Sequence, residues 1–217
     1  MRALSLTLFL LIVATLTGCI ESDDSYSFYL YPDGKVDMIM FKDNVRSSSS
    51  DKDGVKAEKD WLSDFKAGKL WELDNLKKTK AKNIQAVLLR KTAPYSVVVR
   101  GSYPSVAAFG TFFDIGSKDS SATINFYAKG TKRDLLIHVS GKTSDKASKV
   151  DASKEVSQND LPLPVWKFIP VGGRITNDLL CTPSKDKSLC VIDIAGVNLA
   201  DKLGKPYDLS IEWDTAL

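Results

Sequence analysis

Three pairs of apolar or aromatic runs, each pair joined by turn-forming residues, constrain the fold of this chain more than any other feature. The pairs are residues 26–31 with 35–41, 84–89 with 95–99, and 122–127 with 134–139. In the first pair, aromatic and β-branched residues flank Pro32-Asp33-Gly34, a sequence typical of tight turns. This succession of run, turn and run predicts an antiparallel β-hairpin. The sequence therefore predicts three hairpins.

Two segments between the hairpins have the spacing of helices. Residues 55–65 place a valine, a leucine and a phenylalanine on one helical face, and Gly68 follows as a stop. Residues 106–113 place a valine and three phenylalanines at core-facing positions, and Gly116 closes that segment. The order is ββα-ββα-ββ. It predicts an α+β fold in which antiparallel hairpins carry two helices on one face.

The polar segment 143–160 is the best candidate for a linker, because it consists largely of Lys, Asp, Ser and Gln. It separates an α+β domain at residues 25–142 from a C-terminal segment at residues 161–217. The C-terminal segment contains further apolar runs. It is expected to form either a small disulfide-clipped β unit or an extension of the first sheet.

Residues 161–171, at the start of the C-terminal segment, are apolar and contain three prolines. Proline cannot donate a backbone hydrogen bond, so this stretch is not expected to form a central strand. It is either an exposed docking strip for a partner or an arm packed across its own domain. The second interpretation is favoured because most apolar segments of folded proteins are buried.

The N-terminus has the layout of a secretory leader. Met1-Arg2 precedes an apolar stretch at residues 3–15, which is shorter than the roughly 20 residues that span a bilayer. Leu16-Thr17-Gly18-Cys19 follows and resembles the lipobox of bacterial lipoproteins. The resemblance implies that residues 1–18 are a removable signal peptide and that Cys19 carries acyl chains such as palmitate.

Residues 19–24 are expected to form a short acidic tether between the acylated cysteine and the folded domain. In the Gram-negative lipoproteins that the leader resembles, Asp after the cysteine favours retention in the inner membrane. The residue here is Ile20. The resemblance therefore implies a lipoprotein of the outer membrane that faces the periplasm.

Cys181 and Cys190 are the two cysteines that remain after Cys19. An even pair in an exported protein predicts a disulfide. Closing so short a loop contributes roughly 2–3 kcal/mol in the chain-entropy model. A metal pair is the alternative, but a single histidine and the absence of C-x-x-C spacing favour the disulfide. Neither a metal nor a cofactor is predicted.

Positive and negative side chains are nearly balanced, with 30 Lys or Arg residues against 27 Asp or Glu residues. Nucleic-acid surfaces favour clustered arginines beside exposed aromatic residues, and no such cluster exists, so no nucleic-acid partner is expected. Lys77, Lys78, Lys80 and Lys82 form a basic run. The run is either a solvated connection between helix and strand or a surface for anionic lipid headgroups or cell-wall carboxylates.

His138 is the single histidine, so any Ser–His–acid, Cys–His or His-ligated metal mechanism has to use it. It lies in the apolar run 134–139, and the sequence identifies neither a nucleophile nor a carboxylate partner for it. We therefore predict that His138 is not a catalytic base and that the chain contains no catalytic residue.

These patterns together predict a lipid-anchored cell-envelope protein that acts as a non-enzymatic binding or structural module. Two alternatives remain, an envelope hydrolase without a short motif and a carrier of small apolar ligands. The expected partners are the membrane, through the acyl chains on Cys19, and either an envelope protein or an anionic surface.

Overall fold

The computed structural model describes residues 19–112, 120–141, 165–179, 182–193 and 207–216, which form eleven strands and three helices. In chain order these are β1 (Ile20–Leu30), β2 (Val36–Ser47), α1 (Lys52–Lys66), α2 (Trp71–Lys78), β3 (Lys82–Arg90), β4 (Tyr95–Tyr103), α3 (Val106–Gly110), β5 (Ser120–Lys129), β6 (Lys132–Gly141), β7 (Val165–Pro170), β8 (Arg174–Leu179), β9 (Thr182–Pro183), β10 (Cys190–Asp193) and β11 (Tyr207–Asp214).

The strands form two sheets. The first has the order β3-β4-β2-β1-β7-β10-β9 and the second has the order β5-β6-β11-β8. The pairings are antiparallel except for that of β1 with β7. Both sheets and all three helices contribute to one apolar core, in which Phe28, Phe109 and Trp213 are almost fully buried. The α+β class predicted from the sequence is confirmed.

The first hairpin forms at Pro32-Asp33-Gly34 as predicted, but its strands extend further towards Cys19. Residues 20–24, which were expected to be a tether, form the first part of β1 and pair with β2. The acidic side chains that suggested a solvated segment have partners on β2. Lys42 Nζ lies 2.6 Å from Asp24, and the Asn44 side-chain amide donates to Asp23 at 2.6 Å.

Helix α1 covers the first predicted helix and is capped by Asp51, whose carboxylate accepts from the Gly54 N–H at 2.8 Å. A second helix, α2, follows it directly and was not predicted. Gly68 ends α1, and Leu73 and Leu76 then bury the apolar side of α2 against the first sheet. The element order therefore begins ββαα rather than ββα.

The second predicted helix is short. Helix α3 starts after Ser105, which accepts from the Ala108 N–H at 3.2 Å, and ends at Gly110. Part of the predicted segment, including Gly116, lies outside the described residues. The second and third hairpins form as predicted, by β3 with β4 and by β5 with β6.

The C-terminal strands extend both sheets rather than form a unit of their own. Strand β7 lies between β1 and β10, so the expectation that residues 161–171 avoid a central strand is wrong for residues 165–170. The prolines do not break this strand, because Pro170 is its last residue and the other two precede it. Phe168 is fully buried, as expected of an arm packed on its own domain. The linker 143–160 lies outside the described residues.

Candidate functional site

Cys19 lies at one end of the first sheet, immediately before β1, and is exposed. Its backbone N–H donates to the Ser48 hydroxyl at 3.1 Å, and its carbonyl accepts from the Ser48 N–H at 2.8 Å. The backbone of Cys19 is therefore held against the end of β2. An acyl chain on its sulfur would be attached directly to the sheet. Acylation itself stays a prediction.

The end of the molecule opposite Cys19, here called the distal end, is made of turns from both sheets. They comprise residues 31–35, 130–131, 171–173 and 184–189. Arg133 Nε donates to the Pro32 carbonyl at 2.8 Å, and the Val171 N–H donates to the Leu30 carbonyl at 2.8 Å. Since β1 has 11 residues, the distal end lies roughly 35 Å from Cys19 at about 3.3 Å per residue.

A buried ion network lies between the first sheet and α2. Lys42 Nζ is 2.6 Å from an Asp24 carboxylate oxygen and 2.8 Å from a Glu72 carboxylate oxygen. The Lys42 and Glu72 side chains are only 10% and 11% exposed. The two carboxylates raise the pKa of Lys42 although burial opposes its charge. Lys42 pairs with both carboxylates, so the three groups together carry one net negative charge.

Tyr26 lies close to this network and is partly buried against Phe28 and Phe112. Burial raises the pKa of the Tyr26 hydroxyl, and the negative charges of Asp24 and Glu72 raise it further. The hydroxyl therefore stays protonated at physiological pH. The lysine is paired and the phenol is neutral, so neither of these two groups is a free base.

A polar cleft of about 290 Å³ opens on the outer face of the first sheet, in its distal half. Charged and amide side chains line it, and several are bound to each other. Arg100 Nε donates to Gln85 at 2.9 Å, and the Asn83 amide donates to the Ser102 hydroxyl at 3.1 Å. The lining therefore combines hydrogen-bonding groups with apolar surface, as ligand sites commonly do.

Asp37 borders the same cleft, and one of its carboxylate oxygens accepts hydrogen bonds from two neighbouring side chains. The Tyr31 hydroxyl donates to its Oδ2 at 3.0 Å, and Lys35 Nζ donates to the same oxygen at 3.2 Å. The other oxygen, Oδ1, is buried without a hydrogen bond in the described part of the chain, 3.1 Å from Lys35 Nζ. Asp37 is therefore held by Tyr31 and Lys35 at the border of the cleft.

A second cleft, of about 630 Å³, lies at the distal end between Arg174 and the turn at residues 184–189. Asp186 shapes this turn by accepting from the Ser184 hydroxyl at 2.6 Å and from the Ser188 hydroxyl at 2.9 Å. These hydrogen bonds lower the pKa of Asp186 to about 2. The turn is further joined to β8, because the Ile175 N–H donates to the Lys187 carbonyl at 2.9 Å.

The predicted basic run also lies at the distal end. Lys77 and Lys78 end α2, whereas Lys82 begins β3 and pairs with Ser102 near the end of β4. All four lysines of the run are exposed. The run is therefore not only a connection between helix and strand, since three of its four lysines belong to the helix or the strand. Its position is far from Cys19.

The structure gives His138 the carboxylate partner that the sequence did not identify. His138 Nδ1 lies 2.6 Å from an Asp208 oxygen, and the two residues are paired across β6 and β11. Thr123 is the cross-strand neighbour of His138 on the other side, although its side chain lies outside the described residues. The His138 and Asp208 side chains are 44% and 52% exposed. Neither of the two clefts is lined by His138.

Cys190 is fully buried at the start of β10, where it pairs with Phe168 of β7. Cys181 lies outside the described residues. The predicted disulfide between them therefore stays a prediction, which thiol titration of the purified protein would check.

Within the described ranges, no three His, Cys, Asp or Glu side chains are grouped so that they could hold a metal ion. Across the same ranges, no helix has the length and apolar character needed to cross a membrane.

No protein-family model matches this chain, and no curated protein matches it either. Among solved structures, it is similar to the NMR structure of the folded domain of LppM from Mycobacterium tuberculosis. The TM-score is 0.41 and the sequence identity is 10%, and the match covers 92% of each chain. A similarity of this size identifies neither a ligand nor an activity.

Sequence patterns did not reveal the ion network or either cleft. Asp24, Lys42 and Glu72 come from three different elements, and only the register of β1 on β2 and the packing of α2 bring them together. A local signal existed for the His138–Asp208 pair, since both residues lie on alternating strands. Nothing in the sequence, however, indicated that these two strands are neighbours.

Proposed function

We propose that this protein is a lipid-anchored binding module of the bacterial cell envelope. Acyl chains on Cys19 hold one end of the first sheet at a membrane, and the ligand-binding surfaces face away from it. The leader and lipobox support the anchor, and Ile20 supports the outer membrane facing the periplasm. The observation that carries the proposal is the position of both clefts in the half of the molecule opposite Cys19.

The geometry at Cys19 is compatible with acylation of its amino group as well as its sulfur. An N-acylated cysteine keeps one N–H, and the structure uses one N–H in the hydrogen bond to Ser48. Two or three acyl chains would anchor the protein firmly, because each buried methylene contributes about 0.8 kcal/mol and one chain alone binds only marginally.

The anchor is tested by replacing Cys19 with Ser in the full-length chain. The variant should accumulate as the unprocessed precursor without acyl mass, and the wild type should gain the mass of its acyl chains. Ser48→Ala is the matched control, because it removes a neighbouring hydrogen bond and leaves the thiol in place. Intact-mass measurement of a wild-type N-terminus without added acyl mass would contradict the proposal.

A hydrolase is the second candidate, and the contact between His138 Nδ1 and the Asp208 carboxylate on adjacent strands is the observation that favours it. An imidazole held by a carboxylate provides two of the three groups of a nucleophilic triad. The exposure of His138 and Asp208 speaks against it, because nucleophilic catalysis depends on a site that excludes water and positions the substrate.

The two candidates differ in their response to a change at His138. If the protein has an esterase or amidase activity towards envelope substrates, His138→Ala should abolish it, and Asp208→Asn should reduce it strongly. The binding module predicts that no such activity is found and that His138→Ala leaves ligand binding unchanged.

A further inference from the structure

Among the residues that the structure describes, formal positive charge is concentrated at the distal end. At the distal end, eleven Lys or Arg residues stand against seven Asp or Glu residues; these are the segments 31–37, 74–82, 129–134, 171–176, 184–189 and 212–216. At the Cys19 end the two signs are nearly balanced, with seven Lys or Arg against eight Asp or Glu; these are the segments 19–24, 42–60 and 88–96. The distal end is therefore net positive, and the anchored end has no positive excess.

This concentration of positive charge follows from the topology and is not visible in the sequence order. The lysines of the basic run lie at the distal end because α2 ends there and β3 begins there. The lysines of the β5–β6 turn belong to the second sheet, and Lys185 and Lys187 belong to the turn before β10. The hydrogen bonds between Arg133 and Pro32 and between the Ile175 N–H and Lys187 hold these turns side by side. The basic character thus belongs to one continuous end of the fold.

Most of these cations are available for an external partner. Lys80, Lys185 and Lys187 are exposed, and within the described part of the chain none of them lies within 4.0 Å of a carboxylate. Asp186, the acid closest in sequence, has its Oδ1 occupied by the hydroxyls of Ser184 and Ser188. The turn is therefore held in shape by its own serines, and its lysines form no ion pair with any residue that the structure describes.

We propose that the distal end binds a linear polyanion of the cell envelope that carries phosphate or carboxylate groups at repeated intervals. This inference rests on the proposed function and names the ligand class for it. The cations extend from β3 to the turn before β10, which are five strand spacings apart in the first sheet, or roughly 25 Å at about 4.8 Å each. A surface of that width fits a chain of anionic groups better than one small anion. Lysines suit such a partner because each acts as a mobile point charge.

The distance from the anchor disfavours the protein's own membrane as the partner. The distal end lies roughly 35 Å from Cys19 along β1, whereas the Debye length at physiological ionic strength is about 8 Å. The anchored end, which has no positive excess in its described segments, also gives anionic headgroups no electrostatic reason to draw the sheet down onto the bilayer. A polymer beyond the membrane can reach the distal end without a change in the anchor.

The test is a binding measurement on the detergent-solubilised mature protein with fluorescent polyphosphate and fluorescent polyglutamate. The triple variant Lys80→Glu, Lys185→Glu, Lys187→Glu reverses three distal charges. The matched control is Lys52→Glu, Lys56→Glu, Lys91→Glu, which reverses three exposed charges at the other end. The distal variant should weaken binding at least tenfold, and the control should change it less than twofold. The affinity of the wild type should also fall as the salt concentration is raised, because binding of the protein's lysines releases the counterions condensed on the polyanion.

The outcomes separate the proposal from its alternatives. Equal weakening by both triple variants would show a response to net charge alone and would overturn it. Failure of the wild type to bind either polymer would also overturn it, as would tighter binding to vesicles containing anionic lipid than to the polymers. Preference for polyphosphate or for polyglutamate identifies the anionic group. Lys185→Glu alone, in an exposed turn, keeps the test valid if the triple variant does not fold. Since the assay is done in detergent, failure of the anchor would appear in the intact mass and not in this measurement.

Discussion

Lys42 holds two carboxylates together in a place from which water is largely excluded. Its Nζ lies within 2.8 Å of both Asp24 and Glu72. A buried ion pair adds little net stability compared with apolar residues of the same shape, because both charges lose their hydration. Removal of one partner is different, since the remaining charges stay buried without compensation. The network therefore acts mainly by fixing the position of α2 and the register of β1 on β2.

We expect Lys42→Met to reduce the free energy of unfolding by about 3 kcal/mol, because it leaves Asp24 and Glu72 facing each other without a cation. Lys59→Met is the matched control on the exposed face of α1, and its effect should stay within roughly 0.5 kcal/mol. Urea unfolding of both variants measures the difference. Equal stabilities would show that the network is open to water.

Tyr26 gives a stability change that depends on pH. Burial raises its pKa in the folded protein above the ordinary tyrosine value of 10.0. Above pH 10 the unfolded chain loses the phenolic proton while the folded chain keeps it. The unfolded state then binds fewer protons, so stability falls as the pH rises. Lys42, whose pKa is also raised, adds to the loss in the same direction above the ordinary lysine value of 10.5.

Tyr26→Phe should therefore reduce the loss of stability between pH 10 and 11 by about 1 kcal/mol relative to the wild type. Tyr127→Phe is the control, since Tyr127 is 56% exposed, and its profile should follow the wild type. The measurement is urea unfolding at pH 9, 10 and 11. Parallel profiles for Tyr26→Phe and the wild type would mean that the Tyr26 hydroxyl has the same pKa in the folded and the unfolded state.

At the scale of elements, α1 begins where its backbone nearly touches the loop before it. A side-chain carbon built on Gly54 would lie 1.9 Å from the Ser49 carbonyl oxygen and 2.9 Å from the Ser47 hydroxyl. The glycine is therefore required by the close approach of α1 to the end of β2. That end is also the place where Cys19 binds Ser48, so the first turn of α1 supports the anchored end of the molecule.

Gly54→Ala should lower the free energy of unfolding by roughly 2 kcal/mol, because the added methyl group displaces backbone. In an ordinary helix interior the same change is favourable by about 1 kcal/mol, so the two expectations differ in sign. Val55→Ala on the same turn, where the side chain is 46% exposed, should have an effect within about 0.5 kcal/mol. Thermal unfolding of the two variants decides between them.

Local patterns predicted the elements that are formed by neighbours in sequence. The hairpins and α1 followed from turn residues and apolar spacing within about 20 residues. Helix α2 was missed because Gly68 marked a stop and the lysines that end the helix suggested a connection. The position of strand β7 inside the sheet was not predicted, because the prediction considered only how many prolines residues 161–171 contain. Pro170 is the last residue of the strand and the other two prolines precede it, so none interrupts it.

For the whole molecule, the parts that the sequence could not supply are the contacts between distant segments. The parallel pairing of β1 with β7 joins residues about 140 positions apart, and no local pattern encodes it. The same holds for the ion network and for the concentration of positive charge at the distal end. The lipid anchor is the opposite case, since a motif of four adjacent residues predicts it and the fold adds only its position.

The C-terminal strands distinguish the two arrangements expected from the sequence, a small independent unit or an extension of the first sheet. An independent C-terminal unit would allow residues 19–142 to fold alone. In the structure, however, β7 and β11 lie inside their sheets, and the second half of the chain supplies Phe168, Ile192, Leu209, Ile211 and Trp213 to the shared core. At about 2 kcal/mol for each buried side chain, the five contribute roughly 10 kcal/mol. This equals the whole net stability of a typical domain.

We therefore expect the fragment 19–142 to be unfolded when produced alone, as judged by narrow amide proton dispersion in its NMR spectrum. Co-expression with the fragment 143–217 should restore a folded complex. The intact mature chain should unfold in one calorimetric transition. A stable isolated fragment 19–142, or two separate transitions in the intact chain, would show that the core is divided into two units. The single transition is the expected result because both sheets close over the same buried side chains.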